Sequence, residues 1–436
     1  MAYNVQHDNS LSTVVSVDGK TALITPFGLL TVPPPMSATQ LTVPANIVHV
    51  AFVPGCTDFA LLTNDATLHL CTYTPTKAQP SASATVQYSA PLPPKASHVT
   101  FLSATTCVAC LPDGHADKLV YIQLQANEAW ILDEHPLGGK IGGVRVYAST
   151  VWLQATNGHI YHCTASGDKF NAVKKYSQGF PEYCPQFDVT KFHSDDADVT
   201  LVGLSKRSKL YANGQLVASN CASYFIHPHF LLFTTSQQQL ELLDRTKCLE
   251  EHIQDPTARS TRLMERGANI VTAYGMHVLL QMPRGNLEAI SPRSMVVHAV
   301  FDLLNSFQWK QALLTCRRNR VDMNILFDYN PEQFLDHVDD FIQQVADPDY
   351  LNQFLSELRA ENVITAKYDS SSKYNQTLYP LSFPSDTRVG TTRSTACAMP
   401  CAHDWNNWTF PNTSTPCSCP TSAAHHPTGK ARASCC

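Results

Sequence analysis

The chain lacks any long apolar run: no stretch of its 436 residues approaches the roughly 18 apolar residues that a membrane-spanning helix requires. Its first residues, MAYNVQHDNS, carry neither a basic segment nor an apolar one, so no secretory signal is expected and a cytoplasmic, or also nuclear, location is. Strong charge of either sign is missing too. A net charge of −5 and Lys and Arg confined to short clusters, such as Lys206-Arg207-Ser208-Lys209 and Arg317-Arg318-Asn319-Arg320, give no electrostatic footprint for nucleic acid. The catalytic signatures G-x-S-x-G and H-E-x-x-H and the kinase motif set are absent as well.

What is present, up to about Ile290, is a succession of short apolar or alternating runs folded over tight-turn dipeptides. Asp18-Gly19, Asn64-Asp65, Asp113-Gly114, Asn157-Gly158 and Asn213-Gly214 each tolerate the positive φ that two-residue hairpins demand. Their spacings of about 46, 48, 44 and 56 residues match the rhythm of propeller blades, each a four-stranded sheet. A β-sandwich needs only about 100 residues of strands, far fewer than this region holds. The Trp-Asp blade signature is missing, so the repeats are divergent. Proline clusters at Pro33-Pro34-Pro35 and at Pro91-Leu92-Pro93-Pro94 suit connections rather than interior ladders.

After Ser291-Pro292 the period changes from two to 3.6. Ser291 is placed to cap a helix with Pro292 at its first position and Val296, Val300, Leu303, Leu304 and Phe307 along one stripe. Trp309, Ala312, Leu313 and Cys316 mark a second helix. Asn330-Pro331-Glu332-Gln333 starts another, with Phe334, Leu335, Val338, Phe341, Ile342 and Val345 as its buried face, and Asp347-Pro348 starts one carrying Leu351, Phe354, Leu355 and Leu358. Consecutive amphipathic helices with short loops read as the beginning of an α-solenoid. The fold class expected is therefore mixed, with separate β and α domains: a divergent β-propeller over 1–290, the start of an α-solenoid over 291–368, and a disordered tail over 369–436 rich in Thr, Ser, Pro and Cys.

Several residues invite a chemical reading. Cys107-Val108-Ala109-Cys110 has the spacing of a metal or redox pair, but within a strand residues i and i+3 point to opposite faces. His227-Pro228-His229 has no thiol or carboxylate at motif spacing and reads as a turn. Gly138-Gly139-Lys140-Ile141-Gly142-Gly143 has the composition of a phosphate loop, yet Val144-Arg145-Val146-Tyr147 after it reads as a strand, not as the helix such a loop feeds. Six of the 15 cysteines fall in the last 40 residues without a regular ligand spacing. No residue is therefore assigned a catalytic, cofactor-binding or metal-binding role, no cofactor is expected, and the chain is expected not to be an enzyme.

MERGANIVTAYGMHVLLQMPRGNLEAISPRSMV, from Met264 to Val296, resembles the propeller-to-solenoid junction of the IKAP family, the largest subunit of the Elongator complex. FQWKQALLTCRRNRVDMNILFDYNPEQFLDHVDDFIQQV, from Phe307 to Val345, resembles its first solenoid helices, and VDGKTALITPFGLLTVPPPMSATQL and GLSKRSKLYANGQLVASNCASYFIHPHFLLFTT its second propeller. The resemblance covers roughly Ser10 to Thr387. It implies a non-catalytic scaffold supporting carboxymethyl-type modification of the wobble uridine in tRNA. The partners it implies are a radical-SAM and acetyltransferase-like catalytic subunit and a second propeller subunit, with tRNA met through the complex and no membrane. Against the family pattern the first propeller and the dimerising C-terminal part are missing, and the Cys-rich tail matches nothing. The alternative is a propeller and solenoid scaffold of a vesicle coat or nuclear-pore assembly, which would share the architecture.

Overall fold

The structure is a computed structural model, and it describes residues 4–7, 12–16, 21–26, 39–53, 58–74, 83–192, 199–245, 259–284, 287–359 and 361–364. Two compact units divide the chain, one of Met1–Phe307 with Arg318–Val321, the other of Gln308–Arg317 with the residues from Asp322 onward.

The first unit is a ring of seven antiparallel sheets among the described residues. Blade one pairs Asn4–His7, Ser12–Ser16, Thr21–Pro26 and Thr39–Thr42; blade two, Ile47–Phe52, Asp58–Thr63, Thr67–Thr74 and Ser83–Pro91; blade three, Ser97–Phe101, Thr106–Asp113, Ala116–Gln125 and Glu128–Pro136. Blade four has Ile141–Tyr147, Thr150–Ala155, Ile160–Ser166 and the short Lys169–Phe170, with Lys174–Lys175 also paired to its third strand. Gln186–Thr190, Thr200–Leu204, Leu210–Ala212 and Gln215–Ala218 make blade five, and Cys221–Ile226, Phe230–Thr235, Gln239–Asp244 and Ser260–Leu263 blade six. Blade seven holds three described strands, Asn269–Tyr274, His277–Gln281 and Leu287–Ile290.

The first strand of each blade is innermost. Those of blades one to five adjoin in sequence, that of blade six lies against the second strand of blade five and the first of blade seven, and blade seven's returns to blade one, so the ring closes. Radial repetition leaves each blade only a short inner edge, shielded by its neighbours around the ring.

The core consists of apolar layers between neighbouring sheets. Within blade three, Cys107 and Ala109 point into the layer shared with blade two, while Val108 and Cys110 point into the layer shared with blade four. Burial of both faces explains why the second strands are apolar without alternation: every residue of Phe230–Thr235 is buried.

The tight turns fall where the dipeptides place them, with one change of phase. Asn64-Asp65, Asp113-Gly114 and Asn157-Gly158 join second to third strands of blades two, three and four. The strands flanking Asp18-Gly19 pair likewise in blade one, the turn itself lying outside the described residues. Asn213-Gly214, with φ +48° and +78°, instead joins the third and fourth strands of blade five. The equivalent turn in that blade is Ser205–Lys209, closed by the Ser205 N–H donating to the Lys209 carbonyl at 2.9 Å. The widened spacing of the fifth dipeptide thus reflects a different turn of the blade, not a longer blade.

Helix α1, Arg293–Asn305, completes the ring unit, burying Met295, Val296, Val297, Val300 and Leu304, with Met295 in the layer between blades six and seven. Ser291 does not cap it. Its Oγ lies 2.9 Å from His277 Nδ1 of blade seven, and Pro292 occupies the N-cap without a side-chain bond. Phe307, expected on the buried stripe, is 43 % exposed, because the chain turns out of the helix there with φ +56°.

Helices α2 (Trp309–Asn319), α3 (Ile325–Asp328), α4 (Pro331–Asp336), α5 (Val338–Val345) and α6 (Pro348–Glu357) follow. Trp309, Ala312, Leu313 and Cys316 are the buried residues of α2, as their spacing predicts. The stripe read as one helix from Pro331 is two, broken at His337 with φ −116° and ψ 23°, and Leu335 is 38 % exposed. Phe334 centres the second unit's core, with Trp309, Phe327, Phe341 and Phe354 rings at 5.2–5.7 Å. Asn330 accepts from the Gln333 N–H at 3.1 Å and Asp347 from the Asp349 N–H at 3.0 Å, so both expected N-caps form. The tail beyond residue 364 lies outside the described residues.

Candidate docking surfaces

Antiparallel order fixes which turns share a face of the ring. Turns between second and third strands, and the exits toward the next blade, lie on a front face; turns between first and second and between third and fourth strands lie on the back. Helix α1 leaves the third strand of blade seven and therefore starts on the back face. There Ser294 Oγ donates to Ser260 Oγ at 2.8 Å, at the edge of blade six.

The back-face turn of blade six, His227-Pro228-His229, holds this helix. His229 Nε2 lies 2.8 Å from Asp302 Oδ2, and His298 packs its ring edge-on against Phe230 at 4.8 Å and 5.2 Å from the His229 ring. Its Nε2 stands 3.7 Å from Asp244. The Asp302 bond raises the His229 pKa, working against partial burial. His227 sits beneath, 3 % exposed, its Nδ1 accepting the His229 N–H at 3.3 Å. Burial, followed by the neighbouring His229, lowers its pKa to about 4, so it is neutral at physiological pH. Arg245 donates from one guanidinium to the His227 and Pro228 carbonyls and to Thr190 Oγ1 and the Lys191 carbonyl, tying blade six to blade five. The turn reading of His227-Pro228-His229 therefore holds, and the turn is a joint.

The front face carries the exposed cations Lys206 and Arg207, the first with its ammonium 5.9 Å from the Tyr183 ring centre, the second 3.8 Å from Glu182. It also carries a cleft of about 320 Å³ between blades three and four, reached by Gly138, Gly139 and Lys140. On the outer strand of blade three Trp130 and Ile131 are 57 % and 45 % exposed.

The other residues with a chemical reading are placed as follows. Cys107 and Cys110 lie on opposite sheet faces, and burial pushes each thiol up to about 12, far from a reactive thiolate. The Gly-rich stretch runs into the strand Ile141–Tyr147, so a strand follows it where a phosphate loop would feed a helix. Arg317 lies 4.2 Å over the Tyr350 ring, a packing contact within the second unit. Among the described residues no group of three or more His, Cys, Asp or Glu is arranged to hold a metal ion. The tail cysteines and histidines lie outside those residues.

Comparison with known proteins agrees with this architecture. Residues 16–271 match the family described as the ELP1 N-terminal second beta-propeller, and residues 293–390 the ELP1 alpha-solenoid. Elongator complex protein 1 of Schizosaccharomyces pombe is 28 % identical over 381 residues, covering 84 % of this chain and 29 % of that protein. The Saccharomyces cerevisiae protein of the same name is 29 % identical over 407 residues, with 85 % and 28 % covered, and that of Drosophila melanogaster 28 % over 413, with 89 % and 31 %. The chain thus spans about three-tenths of the length of these relatives. A seven-bladed ring followed by solenoid helices, matched by both family descriptions in the same order, places this chain in the family of Elongator complex protein 1.

Proposed function

We propose that the chain is a non-catalytic scaffold segment of an Elongator-type assembly. In this reading it supports carboxymethyl-type modification of the wobble uridine in tRNA by holding a radical-SAM and acetyltransferase-like subunit beside a second propeller subunit. It works in the cytoplasm, and in the nucleus as well. The family match carries this reading, because it extends through both the ring and the helices rather than through one of them. The physical support is that the side chains with a chemical reading serve packing and joints, while both ring faces and the outer strands offer area for partners.

The test is deletion of the gene followed by mass spectrometry of tRNA nucleosides. Carboxymethyl-type wobble uridines are expected to be lost, and unchanged levels would overturn the proposal. Capture of the tagged chain from its own cells is expected to recover the catalytic subunit; recovery of coat or pore proteins in its place would move the chain to the rival class.

A further inference from the structure

The connection from blade three to blade four runs His135-Pro136-Leu137-Gly138-Gly139-Lys140 across the front face. Between it and Thr156-Asn157 of blade four lies the cleft of about 320 Å³. Leu137, Ile141 and Ala155, 8 %, 8 % and 6 % exposed, give it an apolar floor. At its rim Lys140 Nζ donates to Asp117 Oδ1 at 2.9 Å, while Asp117 Oδ2 accepts the Ile141 N–H at 2.8 Å. The carboxylate, its side chain 10 % exposed, is used up within the fold. The ammonium, 42 % exposed, is held in place by that bond and keeps its remaining donors for an occupant.

Gly138 and Gly139 supply an independent observation. Neither has a positive φ, and a Cβ built on either meets nothing within 4 Å. Other glycines of the ring answer to the fold: Gly142 and Gly143 lie under the Tyr183 and Phe187 rings. At 138–139 the fold itself makes no such demand, and bare backbone is what close approach by another chain uses.

We propose that this cleft docks an extended acidic-apolar segment of a protein partner. One large apolar side chain rests on Leu137, Ile141 and Ala155, an adjacent carboxylate meets Lys140, and the segment's main chain lies against Gly138-Gly139. Nucleic acid fits less well, because one ammonium beside a buried carboxylate is no array of cations for a polyanion. The site is a property of the ring and stands apart from the tRNA reading, whose test is nucleoside analysis.

The experiment pans a random dodecapeptide display library on the full chain and measures fluorescein-labelled copies of the enriched peptides by polarisation. Enriched peptides are expected to pair a large apolar residue with a neighbouring Asp or Glu. Affinity should fall at least tenfold when that carboxylate becomes the amide. It should fall equally in the full chain carrying Gly139→Leu, which fills the cleft from a position with open space and leaves the melting temperature unchanged; Gly138→Leu serves as the second variant. Peptides that bind the folded Leu variants within twofold of the unsubstituted chain would overturn the proposal. So would enrichment without a carboxylate, no enrichment at all, or displacement of the peptide by a short single-stranded RNA.

Discussion

Gly158 and Gly138 form an informative pair of single substitutions. Gly158 has φ +87°, and a Cβ there would stand 2.5 Å from the Phe180 carbonyl oxygen, so Gly158→Ala should destabilise the chain by at least about 2 kcal/mol. Gly138→Ala should be neutral to within about 0.5 kcal/mol. Urea unfolding of both variants checks the contrast. The two histidines of the blade six turn respond to pH with opposite sign. His227 has its folded pKa lowered from 6.5 to about 4, so its contribution is present above 6.5 and is lost as pH falls toward 4, a loss on the order of 2–3 kcal/mol. His229 has its folded pKa raised, so its bond to Asp302 contributes below about 6.5 and fades as pH rises through the raised value. Asp302 is 56 % exposed, and solvent screening limits that contribution to about 1 kcal/mol. Burial also lowers His49 to about 4, so stability curves between pH 4 and 9 should keep a shallower acid limb in His227→Gln, while His229→Ala should cost more at pH 5.5 than at pH 8.5.

Among the elements, α1 and the end of α6 each lean on partners outside their own turn of chain. Helix α1 covers the layer between blades six and seven with Met295, so a chain ending at Ile290 should bind a hydrophobic dye and melt lower than one ending at Phe307. Equal melting temperatures would show that the helix contributes nothing to the ring. In the second unit Asn324, 2 % exposed, donates to the Glu357 carbonyl at 2.9 Å and accepts the Arg359 N–H at 2.8 Å. Asn324→Leu leaves both backbone groups without this partner and should cost about 2–3 kcal/mol in thermal unfolding. Asn330→Ala, the loss of one N-cap, should cost about 1 kcal/mol.

At the scale of the whole molecule, the ring behaves as a set of shared layers, because among the described residues each of blades two to six supplies one face to each of two cores. Arg259 of blade six illustrates this: it pairs with Glu241 at 2.9 Å, donates to the Val217 carbonyl of blade five at 3.1 Å and lies 5.8 Å over the Phe233 ring. Both charged side chains are nearly buried, 7 % and 13 % exposed. Arg259→Met strands Glu241 and should cost about 3–5 kcal/mol. Because the layers are shared, protease protection should fall in blades five and six together, which peptide mapping after partial digestion can show; loss confined to blade six would argue against a cooperative ring.

The sequence by itself determined the elements of this protein, because those rest on local rules. Turn dipeptides located four hairpins at the blade rhythm, the change of period at Ser291-Pro292 separated strands from helices, and Trp309, Ala312, Leu313 and Cys316 stood on the face that is buried. The opposed faces of Cys107 and Cys110 were legible for the same reason, strand pleating. Where neighbours compete, local rules give way. Ser291 serves His277 rather than the helix it was placed to cap, the stripe from Pro331 breaks at His337, and Asn213-Gly214 turns a different corner of its blade. Only the tertiary structure decided which surfaces are joints and which are open. The bond of His229 to Asp302 links residues 73 apart, and the cleft at Gly138-Gly139 exists only once blades three and four are packed side by side. Such contacts depend on ring closure, which no window of the sequence contains.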